Sequence, residues 1–254
     1  MNKVKVTQEC HLPSSMAFYR SSGPGSRDVI GGLSSFRPAT ARTLRFRPLP
    51  AGRTSDCWKP CCMRTMPEEV LAFWFGREGE EGYGEFREAW FSKDPAFDRE
   101  IRDRFEAVYE EAAAGELESW KDEAQSCLAL IVVLDQFPRN MFRGDARMYA
   151  TDGLALAAAR HAVERAYDRE LSPSQRMFVH LPFEHSEDLE DQHRSVELFR
   201  KLAEETGQED LFVYAVRHLR IIERFGRFPH RNEILGRLTT PEEAKFLKEP
   251  GSSF

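Results

Sequence analysis

From Met66 onward, apolar residues recur three and four apart, and the runs are punctuated by Pro, Gly and capping residues. Eight helices follow. Pro67 to Phe75, PEEVLAFWF, has Pro and acids in its first turn and Gly76 after its end. Asp94 and Pro95 open a second helix that buries Phe97, Ile101, Phe105, Val108, Tyr109 and Ala112, and Gly115 stops it. A third, about Asp122 to Phe137, is apolar nearly all round, so it belongs at the centre, and Pro138 is expected to end it. A fourth, about Thr151 to Tyr167, is rich in alanine. Ser172-Pro173 opens a fifth that reaches His180, with Pro182 expected to break it. Ser186 is expected to cap a sixth, Glu187 to about Glu205. The seventh runs from about Asp210 to Arg224, and Thr240-Pro241-Glu242-Glu243 starts a short eighth.

No segment alternates with period two for long enough to form a strand. The chain is therefore expected to be all-α, a single domain of antiparallel helical hairpins over residues 66–254. There is no Gly-rich phosphate loop after a strand, no G-x-S-x-G elbow and no H-E-x-x-H pair, so no cofactor is expected. The longest apolar stretch, Leu128 to Leu134, is far short of the ~20 residues that span a bilayer, and no membrane partner is expected. Cys127 sits alone in an apolar helical run, where packing is its default role. The expected compartment is a reducing cytoplasm.

Composition breaks sharply near Met66. Residues 1–65 carry net charge +8 in a chain of −6, which leaves −14 on residues 66–254. The first tract is rich in Gly, Ser, Pro and Arg and keeps no helical or strand period. It lacks the apolar segment of a secretory signal. It reads as a disordered basic extension ahead of a natural start at Met66, with an organelle transit segment as the alternative. Cys57, Cys61 and Cys62 form C-x3-C-C without a second paired half, which falls short of a zinc site. A domain at −14 repels phosphate backbones, so nucleic acid is not an expected partner.

Several motifs stand out in order: Pro67–Phe75, Leu134-Asp135-Gln136-Phe137-Pro138-Arg139-Asn140, Leu181-Pro182-Phe183-Glu184-His185-Ser186-Glu187, and His218 through Asn232. In these the chain resembles the bacterial domain-of-unknown-function family 924 from Met66 to Phe254. The resemblance implies an all-helical, tetratricopeptide-repeat-like fold and brings no settled activity. No clean repeat of ~34 residues is visible in the sequence itself.

The stretch Arg217 to Arg237 holds six arginines and two histidines against two acids, a basic island in an acidic domain. Its Phe228-Pro229-His230-Arg231-Asn232 echoes Phe137-Pro138-Arg139-Asn140, each after an apolar helix. Pro fixes such a turn, and Arg and Asn offer directed donors. One reading gathers Asp135, Gln136, Arg139, Asn140, His185, Glu187, His218, Arg231 and Asn232 on one concave surface that binds a carboxylate or phosphate. The competing reading has these arginines pairing with acids to bridge helices.

Two metal readings are weaker. Glu190-x-x-His193 is a single copy of a motif that di-iron bundles use twice, and Pro182 separates His180 from Glu184, His185 and Glu187. Carboxylate–imidazole pairing of Glu223 with His218 or His230 keeps an enzyme possible without naming its reaction. The expected function is therefore a binding or interaction protein for a small anionic ligand, a protein or a peptide. The alternative is an enzyme acting on a small anionic substrate at the same surface, with metal assistance through His185 and Glu187 as a lesser variant.

Overall fold

A computed structural model describes residues 65–252, which belong to one compact unit, Met63–Phe254. The basic arm lies outside the described residues except for Thr65, and with it Cys57, Cys61 and Cys62. The described residues form helices and turns without a strand. In chain order the α-helices are α1 (Pro67–Phe75), α2 (Pro95–Ala113), α3 (Ala124–Ile131), α4 (Phe137–Met141), α5 (Asp152–Glu164), α6 (Pro173–His185), α7 (Leu189–Thr206), α8 (Glu209–Phe225) and α9 (Pro241–Phe246). A π-helical turn, Val132–Gln136, joins α3 to α4 without a break, so the described residues make eight helical rods. No helix among them is long and apolar enough to cross a membrane.

The rod from α3 to α4 is central, with every residue from Cys127 to Pro138 buried. Around it pack α1, α2, α5 and α6, and α7 forms hairpins with α6 and α8 across short links. Aromatic residues lock the N-terminal side. Trp74 meets Phe137 and Phe178 edge to face at 5.7 and 5.6 Å, and Trp90 meets Phe178 at 4.9 Å. The loop after α1 closes that helix: Arg87 donates to the carbonyls of Phe73 and Trp74, and Trp90 Nε1 donates to Trp74 O at 2.9 Å.

Two proline expectations are corrected. Pro138 does not end the third helix, because the π turn absorbs it. Phe137 N–H reaches back five residues to Val132 O. Pro138 has no N–H to give Leu134 O, and the hydroxyl of Thr151 takes that carbonyl instead, at 2.6 Å. Nor does Pro182 break the fifth helix, since α6 runs on to His185. Gln192 secures its end, donating to the carbonyls of Glu184 and Ser186, each at 2.7 Å. Ser186 follows α6 rather than capping α7; Asp188 is the cap, accepting from the backbone N–H groups of Glu190 and Asp191.

Thr151→Val deletes the hydroxyl that satisfies the carbonyl left by Pro138. A loss of ~1–3 kcal/mol is expected, seen as a lower urea midpoint at unchanged slope, with Thr151→Ser retaining most of it.

Candidate functional site

The π turn places Asp135 where an α-helix would not. Its carboxylate is fully buried, and three neighbours satisfy it. His185 Nδ1 lies 2.8 Å from Oδ1, Gln136 Nε2 donates to Oδ2 at 2.6 Å, and Arg139 Nη1 stands 3.3 Å from Oδ1. Burial pushes this carboxyl up, but Arg139 and His185 outweigh it and hold it down at about 2. Arg139 then grips Asp152, the first residue of α5, with two hydrogen bonds of 2.8 and 3.1 Å.

Arg231, in a short 3-10 turn after α8, reaches the same Asp152 at 3.5 Å. That is its side chain's sole hydrogen bond to the described residues, although only 7% of the residue is exposed and its Nε has no partner. The rings of Tyr149 and Phe228 lie 4.6 and 4.5 Å from its guanidinium carbon. Asp152 is already closed on Arg139, so Arg231 is a buried cation with little to hold. Burial and the charge of Arg139 both push its pKa down.

A cleft of about 320 Å³ opens on this group. His185, Glu187 and Arg231 line it, with Tyr149, Asp152 and Arg237. Glu187 holds two strands of backbone together there, accepting from Arg237 at 2.8 and 3.0 Å and from the N–H of Phe228 at 2.8 Å. His185 gives Nδ1 to Asp135, and its Nε2 makes no hydrogen bond to the described residues. Burial first, then Arg139, lowers its pKa against the pull of Asp135.

The two Phe-Pro turns thus meet through Asp152, yet part of the expected surface lies elsewhere. Asn140 donates to Asp98 on α2 at 2.8 Å, and Arg143 binds the same carboxylate. Asn232 is fully buried and donates to Thr239 at 3.4 Å. Both asparagines tie elements together, and neither lines the cleft. Asp135, Gln136 and Arg139 form the wall behind it, and His218 sits deeper, its Nδ1 3.0 Å from Tyr214 O and 3.2 Å from Glu184 Oε1. Glu223 is exposed, so the carboxylate beside His218 is Glu184.

The donors considered for a metal face different partners. His180 stands 3.5 Å from Asp168, Glu184 faces His218, His185 faces Asp135, and Glu187 is taken by Arg237. Glu190 and His193 are both exposed on α7. Among the described residues no group of three or more His, Cys, Asp or Glu is arranged to hold an ion.

Asp152, Tyr149 and Arg237 were not singled out from sequence. Asp152 reads as an ordinary acid at a helix N-terminus, and nothing in the spacing marks it as shared by two arginines. A second groove, about 890 Å³, runs beside α1, where Glu69, Glu80, Glu81, Glu85 and Glu100 outnumber Arg77, Arg87 and Arg104, so its charge balance favours an anion less.

The family model described as "Bacterial protein of unknown function (DUF924)" matches residues 70–251. The solved structure of a protein of unknown function, ATU0120, from Agrobacterium tumefaciens is 43% identical to this chain. The match covers 72% of this chain and 96% of that one, with a TM-score of 0.63. A search of curated proteins returns no match.

Behind the cleft, burial and then Asp135 push the Glu184 carboxyl up to about 8, while burial pushes His218 down to about 3, so the two face each other at 3.2 Å as neutral groups near pH 7. The folded pKa of Glu184 is raised, so its contribution is full at low pH and is lost as pH rises through about 8. Glu184→Gln keeps an acceptor and removes that loss. Thermal unfolding across pH is expected to show little change at pH 5 and a Tm higher by about 4 °C or more at pH 9.

Proposed function

Because this chain belongs to the DUF924 family of bacterial proteins, whose function is unknown, we propose a function from the cleft itself: it binds a small carboxylate or phosphate, with Arg231 as the direct contact. The observation that carries this reading is the state of Arg231. It is nine-tenths buried, lines the cleft, and holds one hydrogen bond at 3.5 Å to a carboxylate that Arg139 already occupies. A buried guanidinium with unused donors is stabilised by an incoming planar or tetrahedral anion, which offers the short bidentate pairing that Asp152 does not. Tyr149 and Phe228 against the guanidinium leave its in-plane N–H edge as the recognising feature.

The working assignment is a binding protein for a small anion. Enzymatic use of the same cleft is a second reading, and the Asp135–His185 pair favours it. A carboxylate on Nδ1 fixes the tautomer and leaves Nε2 as a base. Metal assistance through His185 and Glu187 finds no support, since the oxygens of Glu187 are committed to Arg237 and Phe228 N–H.

The test is a thermal-shift screen with acetate, succinate, sulfate, inorganic phosphate and nucleotides, comparing the full chain with Arg231→Met. At least one anion is expected to raise Tm by several degrees at concentrations well above its Kd, and Arg231→Met is expected to fold and to lose that shift. A variant that unfolds with a loss of ~3–5 kcal/mol, together with no stabilising anion, would leave Arg231 as a helix-bridging residue only.

A further inference from the structure

We infer that the cleft takes up its anion together with a proton, and that His185 is the group that accepts it. This rests on the anion-binding reading above and adds to it the protonation state in which the ligand is held.

The cleft and the wall behind it carry three cations, Arg139, Arg231 and Arg237, and three carboxylates, Asp135, Asp152 and Glu187. The empty site is therefore neutral, with Arg139 closed on Asp152 and Arg237 closed on Glu187 at 2.8 Å each. An anion that binds Arg231 leaves one negative charge unbalanced among side chains that are largely out of water. That is costly unless a neighbour gains a positive charge.

Few groups near the cleft are able to do so. Asp135 on the π turn, Asp152 on α5 and Glu187 after α6 are bound to arginines, and the Tyr149 phenol has only a proton to lose. Glu184, beside His185 on α6, is neutral already and could only lose a proton. From α7, Asp191 is turned onto Arg160 and Ser186. On α8, His218 has Nδ1 between Tyr214 O and Glu184, and it does not line the cleft. His230, against the ring of Phe228, does not line it either. Arg139 and Arg231 are charged throughout. His185 remains. It lines the cleft, its Nδ1 faces a carboxylate at 2.8 Å, and its Nε2 has no hydrogen-bond partner among the described residues.

In the empty site, burial and Arg139 keep His185 neutral. An anion in the cleft offsets the field of Arg139, and Asp135 then favours imidazolium. The proton comes from solvent to Nε2, and no other bond changes. Its sign is fixed: the filled site binds more protons than the empty one, so affinity falls as pH rises.

The experiment is titration calorimetry of the full chain with acetate and with sulfate, neither of which titrates between pH 6.5 and 8.5, in buffers of different ionisation enthalpy. The heats should differ between buffers by an amount equal to about one proton taken up per acetate at a pH between the empty-site and filled-site pKa values of His185, where affinity should fall about tenfold per unit before levelling off above the filled-site value. His185→Asn, which keeps a donor for Asp135, should bind with the weak affinity that the unaltered protein shows at high pH, flat across the range. Should that variant misfold, histidine 15N spectra of the unaltered protein still decide, because one ring should pass from the neutral to the doubly protonated pattern on saturation with sulfate. Binding with buffer-independent heat, flat pH dependence and unchanged histidine spectra would overturn the proton inference and leave the anion site standing. No binding of either ion, with no stabilisation in the thermal screen, would instead remove the anion site itself.

Discussion

A carboxylate with no access to water cannot stay charged without neighbours, and Asp135 imposes that requirement on this fold. It draws His185 from α6 and Arg139 from α4, and through Arg139 it reaches Asp152 on α5 and then Arg231 beyond α8. Four separate parts of the chain are joined by one line of charge. Removing its origin would leave Arg139 and His185 facing a gap in the interior. The cleft exists where that line reaches the surface.

Helix bridging and ligand binding are therefore less opposed than they look from sequence. Arg139 is a bridge by any measure, with both oxygens of Asp152 and a carbonyl in its grip. Arg143 and Asn140, both on Asp98, are bridges too. Arg231 differs in degree: its side chain is more deeply buried than those of Arg139 and Arg143 and yet poorly answered. The arginines look alike in the sequence, and their distinction lies in how many acceptors each one finds.

Much of the architecture was legible from the chain. The apolar rod around Leu128 to Leu134 is central as its all-round hydrophobicity required, and Cys127 is buried within it. The prolines misled for a definite reason. A proline removes one hydrogen bond, and whether the helix stops depends on whether something distant replaces it. Thr151 does so for Pro138, donating to the Leu134 carbonyl from 17 residues away in sequence, and Gln192 secures the end of the helix that contains Pro182. Local reading has no access to such partners. The same limit applies at the site, where the repeated Phe-Pro pattern pointed to two arginines that meet on Asp152 but also to two asparagines that do not join them. Asp152, the meeting point, carries no local mark at all.

The π turn has one more consequence. A five-residue π turn is geometrically an α-helix with a single residue inserted, and each residue of an α-helix turns the chain by about 100°. Deleting one residue between Val132 and Gln136 would let the rod relax to uniform α-helix with its apolar character intact. Because the turn already takes up that extra residue, the helix beyond the deletion would keep its present directions, while Asp135, inside the turn, would lose the placement that sets it against His185 and Arg139. The length of this one segment therefore acts as a genetic register mark. Relatives that keep the count can keep the buried chain of charge, whereas a relative one residue shorter could retain the fold and lose the cleft's chemistry at a stroke.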